Sequence, residues 1–186
     1  MNLQEATIKK LLEAKQVGTL YHYTNLEGIR GIAKLNRLEG NYNRQSFTRR
    51  SDLLNKNWSV YNDVRITVDG DLLSERYKIK PTNQIYNRME AEERIIIKQI
   101  DNFSMYVTEV IISKQSLKNY SNKFKKFPNF INNIKDKAEW EKIFKNPKDY
   151  DLAKFYNFDT NKFNIEAYWE DTINLCKKVF KNIKEV

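Results

Sequence analysis

The sequence predicts an α+β fold, a mixed sheet with helices at its entry followed by a helical layer, on three observations. Residues 19 to 113 hold short β-branched and aromatic runs separated by polar turn residues. From Lys114 onward the apolar spacing turns helical. Composition changes at the same place: all nine arginines fall between Arg30 and Arg94, whereas residues 114 to 186 hold sixteen lysines, ten acids and no arginine. The chain therefore divides into a core, residues 1–113, and a Lys-rich helical C-terminal extension, residues 114–186, packed on it.

In order along the chain, Leu3, Ala6, Ile8, Leu11 and Leu12 recur at helical spacing, and Gly18 ends that opening helix. Thr19 to Tyr23 is a β-branched and aromatic run that reads as a strand. Thr24 or Asn25 then caps a helix that buries Leu26, Ile29, Ile32, Ala33 and Leu35. Residues 36 to 63 are polar and irregular apart from a short strand, Gln45 to Thr48. Val64 to Val68 alternates as a strand, Asp69-Gly70 signals a turn, and Tyr77 to Lys80 alternates again before Pro81. Arg94 to Gln99 and Tyr106 to Ser113 are the remaining strands. Finally, Ile165, Trp169, Thr172, Ile173, Cys176, Val179, Phe180 and Ile183 share one face of a predicted helix over 165–183, which makes Cys176 a core residue rather than a nucleophile.

A chain of 186 residues is enough for one ordinary domain with a real core. Its formal charge of +9 favours anionic partners without choosing among them. A single cysteine excludes an internal disulfide framework, and a single histidine excludes the usual Cys/His zinc sites, so no metal is expected and a reducing cytoplasm is. Apolar runs such as Ile95 to Ile97 are far below the roughly 18 residues of a membrane span, and the N-terminal segment lacks a signal-peptide apolar region. No membrane partner is expected. Only five glycines are present, and neither GxGxxG nor GxxxxGK[ST] occurs, so a nucleotide would have to be held by side chains.

Three elements carry candidate chemistry. His22 stands in Tyr21-His22-Tyr23-Thr24, at the end of a strand and just before a helix N-terminus, where polar and anionic groups are readily received. Ser46-Phe47-Thr48-Arg49-Arg50 puts two hydroxyls on one face of a short strand, with arginine directly after. Glu90-Ala91-Glu92-Glu93-Arg94 presents three carboxylates ahead of an Ile-rich strand. In an extended chain Glu90 and Glu92 face one way and Glu93 the other. The bland alternatives are a structural histidine, a polar edge strand and a solvated helix start.

In this order and spacing, LYHYTNLEGIRGIAKLNRL, SFTR and EAEERIII resemble the ADP-ribosyltransferase superfamily, in particular its DarT-like and phage or toxin-associated members, over residues 19 to 113. The resemblance implies a strongly bent sheet around a cleft for NAD, the co-substrate. It implies transfer of ADP-ribose to a macromolecular acceptor, protein or nucleic acid. His22 would hydrogen-bond NAD, with Tyr23 and Thr24 lining the pocket. Ser46 and Thr48 would support the nicotinamide ribose, and Phe47 or Tyr42 would stack on nicotinamide. Arg49, Arg50 and Arg65 are candidates for the pyrophosphate. Glu92 would be the catalytic acid, stabilising positive charge at the anomeric carbon, and Glu90 would orient or deprotonate the acceptor. Glu93 rivals Glu92, because a one-residue change of register exchanges their faces. Asn83, Tyr86, Asn87 and Arg88 lie in the loop that would select the acceptor. His22 stands where other members carry an arginine on the first strand.

A competing reading is a non-catalytic binding protein, either of nucleic acid through the basic C-terminal helices or as a phage inhibitor of a host defence protein. Lys123-Phe124-Lys125-Lys126-Phe127 interleaves cations with aromatics, as stacking surfaces do. Gly28-Ile29-Arg30-Gly31 has the form of a GxxG clamp but lies inside a helical stripe.

Overall fold

The main sheet is built on the alternating segment Val64–Asp69, in which Val64, Ile66 and Val68 are fully buried and Arg65, Thr67 and Asp69 are not. A period of two with one apolar face is what a half-covered strand needs. The structure is a computed structural model and describes residues 17–40, 43–55, 63–81, 93–115, 117–118, 154–157, 160 and 162–186. Among them the fold is mixed α+β.

In chain order the elements are β1 (Thr19–Thr24), α1 (Leu26–Leu35), β2 (Arg37–Glu39), β3 (Gln45–Phe47), β4 (Val64–Asp69), α2 (Gly70–Arg76), β5 (Ile79–Pro81), β6 (Glu93–Ile95) and β7 (Gln99–Asp101). A 3-10 turn, Phe103–Tyr106, leads into β8 (Val107–Ile112), and β9 (Tyr156–Asn157), β10 (Lys162–Phe163), α3 (Ile165–Val179) and β11 (Ile183–Glu185) follow. The main sheet has the order β1-β4-β8-β11, antiparallel except for the parallel β8–β11 pair. A second, antiparallel sheet has the order β3-β6-β5, while β2 with β7 and β9 with β10 form two-stranded ribbons.

Side-chain caps set the helix boundaries. Asn25 Oδ1 accepts from the Gly28 amide at 2.8 Å, and Asn36, in the left-handed region at φ 46°, ends α1. Caps of this kind contribute about 1 kcal/mol each. Gly28 has its own steric reason, since a Cβ there would meet Thr24 Oγ1 at 2.0 Å. Asp69 caps α2 through the Leu72 amide at 3.0 Å, so Asp69-Gly70 starts a helix where a hairpin turn was expected. The same dipeptide serves both, because an aspartate that accepts a hydrogen bond two or three residues on is also an N-cap.

Other expectations are corrected by pairing. Arg94 to Gln99 is not one strand: β6 ends at Ile95, Ile96 is 72% exposed, and the chain re-enters pairing as β7. The strand expected at Tyr77 to Lys80 is β5, which begins at Ile79 and includes Pro81 at its end, a position open to proline on an edge strand. Leu35 is exposed rather than buried, because α1 ends there. The C-terminal helix stops at Val179, and Ile183 belongs to β11, paired with Val110. The described part of the C-terminal extension thus supplies a strand of the main sheet as well as a helix. The opening helix over 2–16 and the Lys123 to Phe127 run lie outside the described residues.

The two halves share one core. Leu20, Leu26, Ile29, Val64, Ile66, Val110 and Ile112 pack in the same cluster as Tyr168, Trp169, Ile173, Cys176 and Phe180 of the C-terminal segment. Each such side chain contributes on the order of 1.5–3 kcal/mol on burial. Cys176 lies in this core, as the helical stripe predicts, and burial pushes its thiol up to about 12.

Candidate functional site

The two sheets meet where β1 runs beside the end of β3. Tyr21 N donates to Thr48 O at 2.8 Å and Thr48 N donates to Tyr21 O at 2.9 Å, a reciprocal antiparallel bridge. One residue beyond it, the His22 and Phe47 rings meet edge to face at 5.9 Å. Phe47 in turn lies opposite Glu93 in the β3–β6 pairing. Directly opposed residues point to one side of a sheet, so His22, Phe47 and Glu93 form a row across β1, β3 and β6. Its ends are roughly 10 Å apart at the backbone, two strand spacings.

His22 is held in one tautomer. Its Nδ1 lies 3.0 Å from the Ser46 carbonyl oxygen, which only accepts, so Nδ1 carries the proton. Burial lowers the His22 pKa and the Ser46 hydrogen bond partly opposes that shift. The ring is neutral at pH 7, and Nε2 keeps its lone pair as an acceptor.

Glu93 is buried, and Arg49 holds it: Nε and Nη2 donate to the same oxygen, Oε1, at 3.1 and 2.9 Å. Both bonds go to Oε1, so Arg49 does not take up the other carboxylate oxygen. The third arm, Arg49 Nη1, donates to Val17 O at 2.6 Å. That anchors it to the entry of β1, where Asp71 Oδ1 also accepts from the Val17 and Gly18 amides at 2.6 and 2.9 Å. Gly18 has φ +68°, a left-handed backbone that favours glycine. Arg49 therefore ties together the start of β1, the end of β3 and the start of β6.

The other expected site residues divide by what they touch. Tyr23 leaves the row: its hydroxyl donates to Arg50 O at 2.9 Å and accepts from Leu53 N at 3.2 Å, pinning the loop after β3. Burial raises its pKa, with smaller opposing contributions from the Leu53 amide and Arg65. Thr24 Oγ1 lies over the first turn of α1 at Gly28. Thr48 is buried and its hydroxyl accepts from Arg50 N at 3.2 Å, closing the same loop. Ser46 is half-buried on the face opposite Phe47. Arg50 pairs with Asp52 at 2.9 Å, while Arg65 donates to Ser51 O at 2.7 Å, reaches Glu109 at 3.3 Å and sits 5.4 Å from the Tyr21 ring centroid. Of the three candidate arginines, Arg49 is the one beside the row. Glu90, Glu92, Tyr42, Asn83, Tyr86, Asn87 and Arg88 lie outside the described residues.

Spacing alone did not reveal that Arg49 meets Glu93 or that Asp71 holds the start of β1. The one local signal was arginine directly after a Ser/Thr strand. Among the described residues no group of three His, Cys, Asp or Glu is placed to hold a metal ion, and no described helix is long and apolar enough to cross a membrane. Comparison of the chain with protein-family models, with curated proteins and with solved structures finds no match.

Proposed function

We propose that the chain transfers ADP-ribose from NAD to a macromolecular acceptor. The observation that supports it is the row His22, Phe47, Glu93: a neutral imidazole with a free acceptor nitrogen and a carboxylate with an uncommitted oxygen flank one apolar ring. His22 Nε2 accepts from a ribose hydroxyl of NAD. Phe47 is buried, so it supports the His22 ring rather than offering a face to nicotinamide. Tyr23 and Thr48 hold the loop that carries Arg49.

The chemistry asked of this site is modest in atoms and demanding in charge. The C–N glycosidic bond breaks, its electron pair leaves with neutral nicotinamide, and positive charge develops over the anomeric carbon and ring oxygen. A carboxylate nearby accepts from the ribose 2′-hydroxyl and stabilises that charge, as in glycoside cleavage. An acceptor nucleophile then bonds to the anomeric carbon and gives its proton to a base, the role assigned to Glu90. Glu93 is the carboxylate placed in the row, and Glu92 is its rival.

The test is incubation with NAD labelled in its adenosine half, beside Glu92→Gln and Glu93→Gln made separately. Loss of a carboxylate that stabilises the transition state lowers the rate by about 10²–10³-fold. Label on protein or nucleic acid that disappears with one substitution names both the acid and the acceptor class. Full activity in both variants, or no nicotinamide release by the unaltered protein, overturns the proposal.

A further inference from the structure

The two acids at the start of α2 serve different segments. Asp69 Oδ1 accepts from the Leu72 amide at 3.0 Å and caps the helix. Asp71, inside the first turn, is not needed for that cap and reaches back across 54 residues to the entry of β1. Its Oδ1 accepts from the Val17 amide at 2.6 Å and from the Gly18 amide at 2.9 Å. Two successive amides converge on one oxygen where Gly18 takes φ +68°, the kind of backbone turn in which consecutive N–H groups form a hollow for an anion. The same residues are gripped from the other side as well. Gly70 N donates to Gly18 O at 2.9 Å, and a Cβ on Gly70 would meet that oxygen at 2.3 Å.

The Val17 carbonyl, fixed in this way, accepts from Arg49 Nη1 at 2.6 Å, and that bond governs how Arg49 meets Glu93. A guanidinium edge commonly takes both oxygens of a carboxylate, one N–H to each. Here Nε and Nη2 both donate to Oε1, and Oε2 accepts no hydrogen bond from a described residue. Nor is Oε2 one of the enclosed polar atoms without a partner, which among the described residues are Arg65 Nε, Thr67 Oγ1, Arg94 Nε and Tyr106 Oη, so solvent reaches it. We infer that Asp71 is a positioning residue of the site: by fixing Val17 it keeps Arg49 on Oε1 and leaves Oε2 of Glu93 open to the ribose 2′-hydroxyl. The inference rests on the reading of the chain as an ADP-ribosyltransferase with Glu93 as its acid. Asp71 itself forms no hydrogen bond or ion pair with Arg49 or Glu93, so its influence passes through the Val17 peptide. Without that anchor Arg49 is free to slide along the carboxylate and occupy both oxygens.

The first arm of the experiment measures nicotinamide release over a range of NAD concentrations. Asp71→Ala lowers kcat by about 10²-fold, the cost of a small misplacement at the reacting centre. KM for NAD is unchanged, because Oε2 acts on charge that develops only in the transition state. Asp71→Asn keeps an oxygen where both amides need it and recovers most of the rate. Asp71→Glu keeps the charge but displaces the oxygens by a methylene; it follows Asp71→Ala, and replaces it in both arms should that variant fail to fold. The second arm needs no turnover and compares urea-unfolding midpoints of Asp71→Ala, Glu93→Gln and the double variant. Unlinked residues give additive shifts, whereas here the double variant departs from the sum. Non-additive midpoints without nicotinamide release by the unaltered protein would sink the transfer reading and leave the positioning of Glu93 standing. Additive midpoints, an unchanged kcat in Asp71→Ala, a loss confined to KM, an Asp71→Asn as slow as Asp71→Ala, or full nicotinamide release by Glu93→Gln each overturns the inference.

Discussion

Two arginines, each bound to a carboxylate, hold two contacts of this molecule in opposite ways. At the junction of the two sheets the acid is buried and the base is open: the Glu93 side chain is 7% exposed and that of Arg49 41%. At the contact between α1 and α3 the base is buried and the acid is open, with Arg30 at 5% and Asp171 at 49%. Arg30 does not rely on Asp171 alone. Its Nη1 donates to Thr172 Oγ1 at 3.0 Å, and its guanidinium lies 5.4 and 5.0 Å from the centroids of Phe155 and Tyr168. A delocalised guanidinium is accommodated by aromatic faces and a hydroxyl, whereas a buried carboxylate needs donors. Removing the open partner should therefore cost little at α1–α3 and much at the sheet junction.

The largest expected effect is Arg49→Leu, which leaves the Glu93 carboxylate buried without its guanidinium. Breaking a fully buried pair costs about 3–5 kcal/mol, and the exposure of Arg49 reduces this to about 2–3 kcal/mol. Urea unfolding checks it. Adding Glu93→Gln should restore part of the loss, and a double variant no more stable than Arg49→Leu would show that the two side chains are not coupled.

The second test uses pH to separate the two regions. His22 has a lowered pKa in the folded protein, so between its folded value and 6.5 the unfolded chain binds more protons than the folded one. Its stabilising contribution is present above pH 6.5 and is lost as pH falls toward the folded pKa. Cys176 in the shared core, pushed up to about 12, does not titrate in this window. Stability should thus fall on acidification from neutral pH, and His22→Gln should flatten that slope. An unchanged slope in the variant would assign the acid sensitivity to other groups.

The smallest effect belongs to Asp171→Asn. A half-exposed acid contributes below about 1 kcal/mol, and Arg30 keeps Thr172 and its two rings. A loss as large as that of Arg49→Leu, measured by the same urea unfolding, would break the comparison.

Much of this was legible locally. A helix cap at Thr24 or Asn25, of which Asn25 serves, the alternation of Val64 to Val68 and the placement of Cys176 in the core each follow from residues within one or two turns of one another. Failures occurred where local signals are degenerate. Asp69-Gly70 suits a turn or a cap, Ile95 to Ile97 suits one strand until Ile96 finds no partner, and Ile183 fits a helical stripe until β8 offers an edge. For the site, the sequence drew attention to His22 and to the arginine after the Ser/Thr strand. It held no sign of the tautomer, which needs the Ser46 carbonyl 24 residues away.

By itself, then, the sequence determined the fold class, the basic charge, the confinement of arginine to the sheet half and the positions of most described elements, because these depend on composition and on periods of two and 3.6. Tertiary structure decided which groups meet. It set His22 beside Phe47 and Phe47 opposite Glu93, bound Glu93 to Arg49 across 44 residues, and buried Arg30 against Phe155 and Tyr168. The physical reason is register: a strand's period says which residues share a side, but only pairing with a distant partner says which side faces the core and which charges become neighbours.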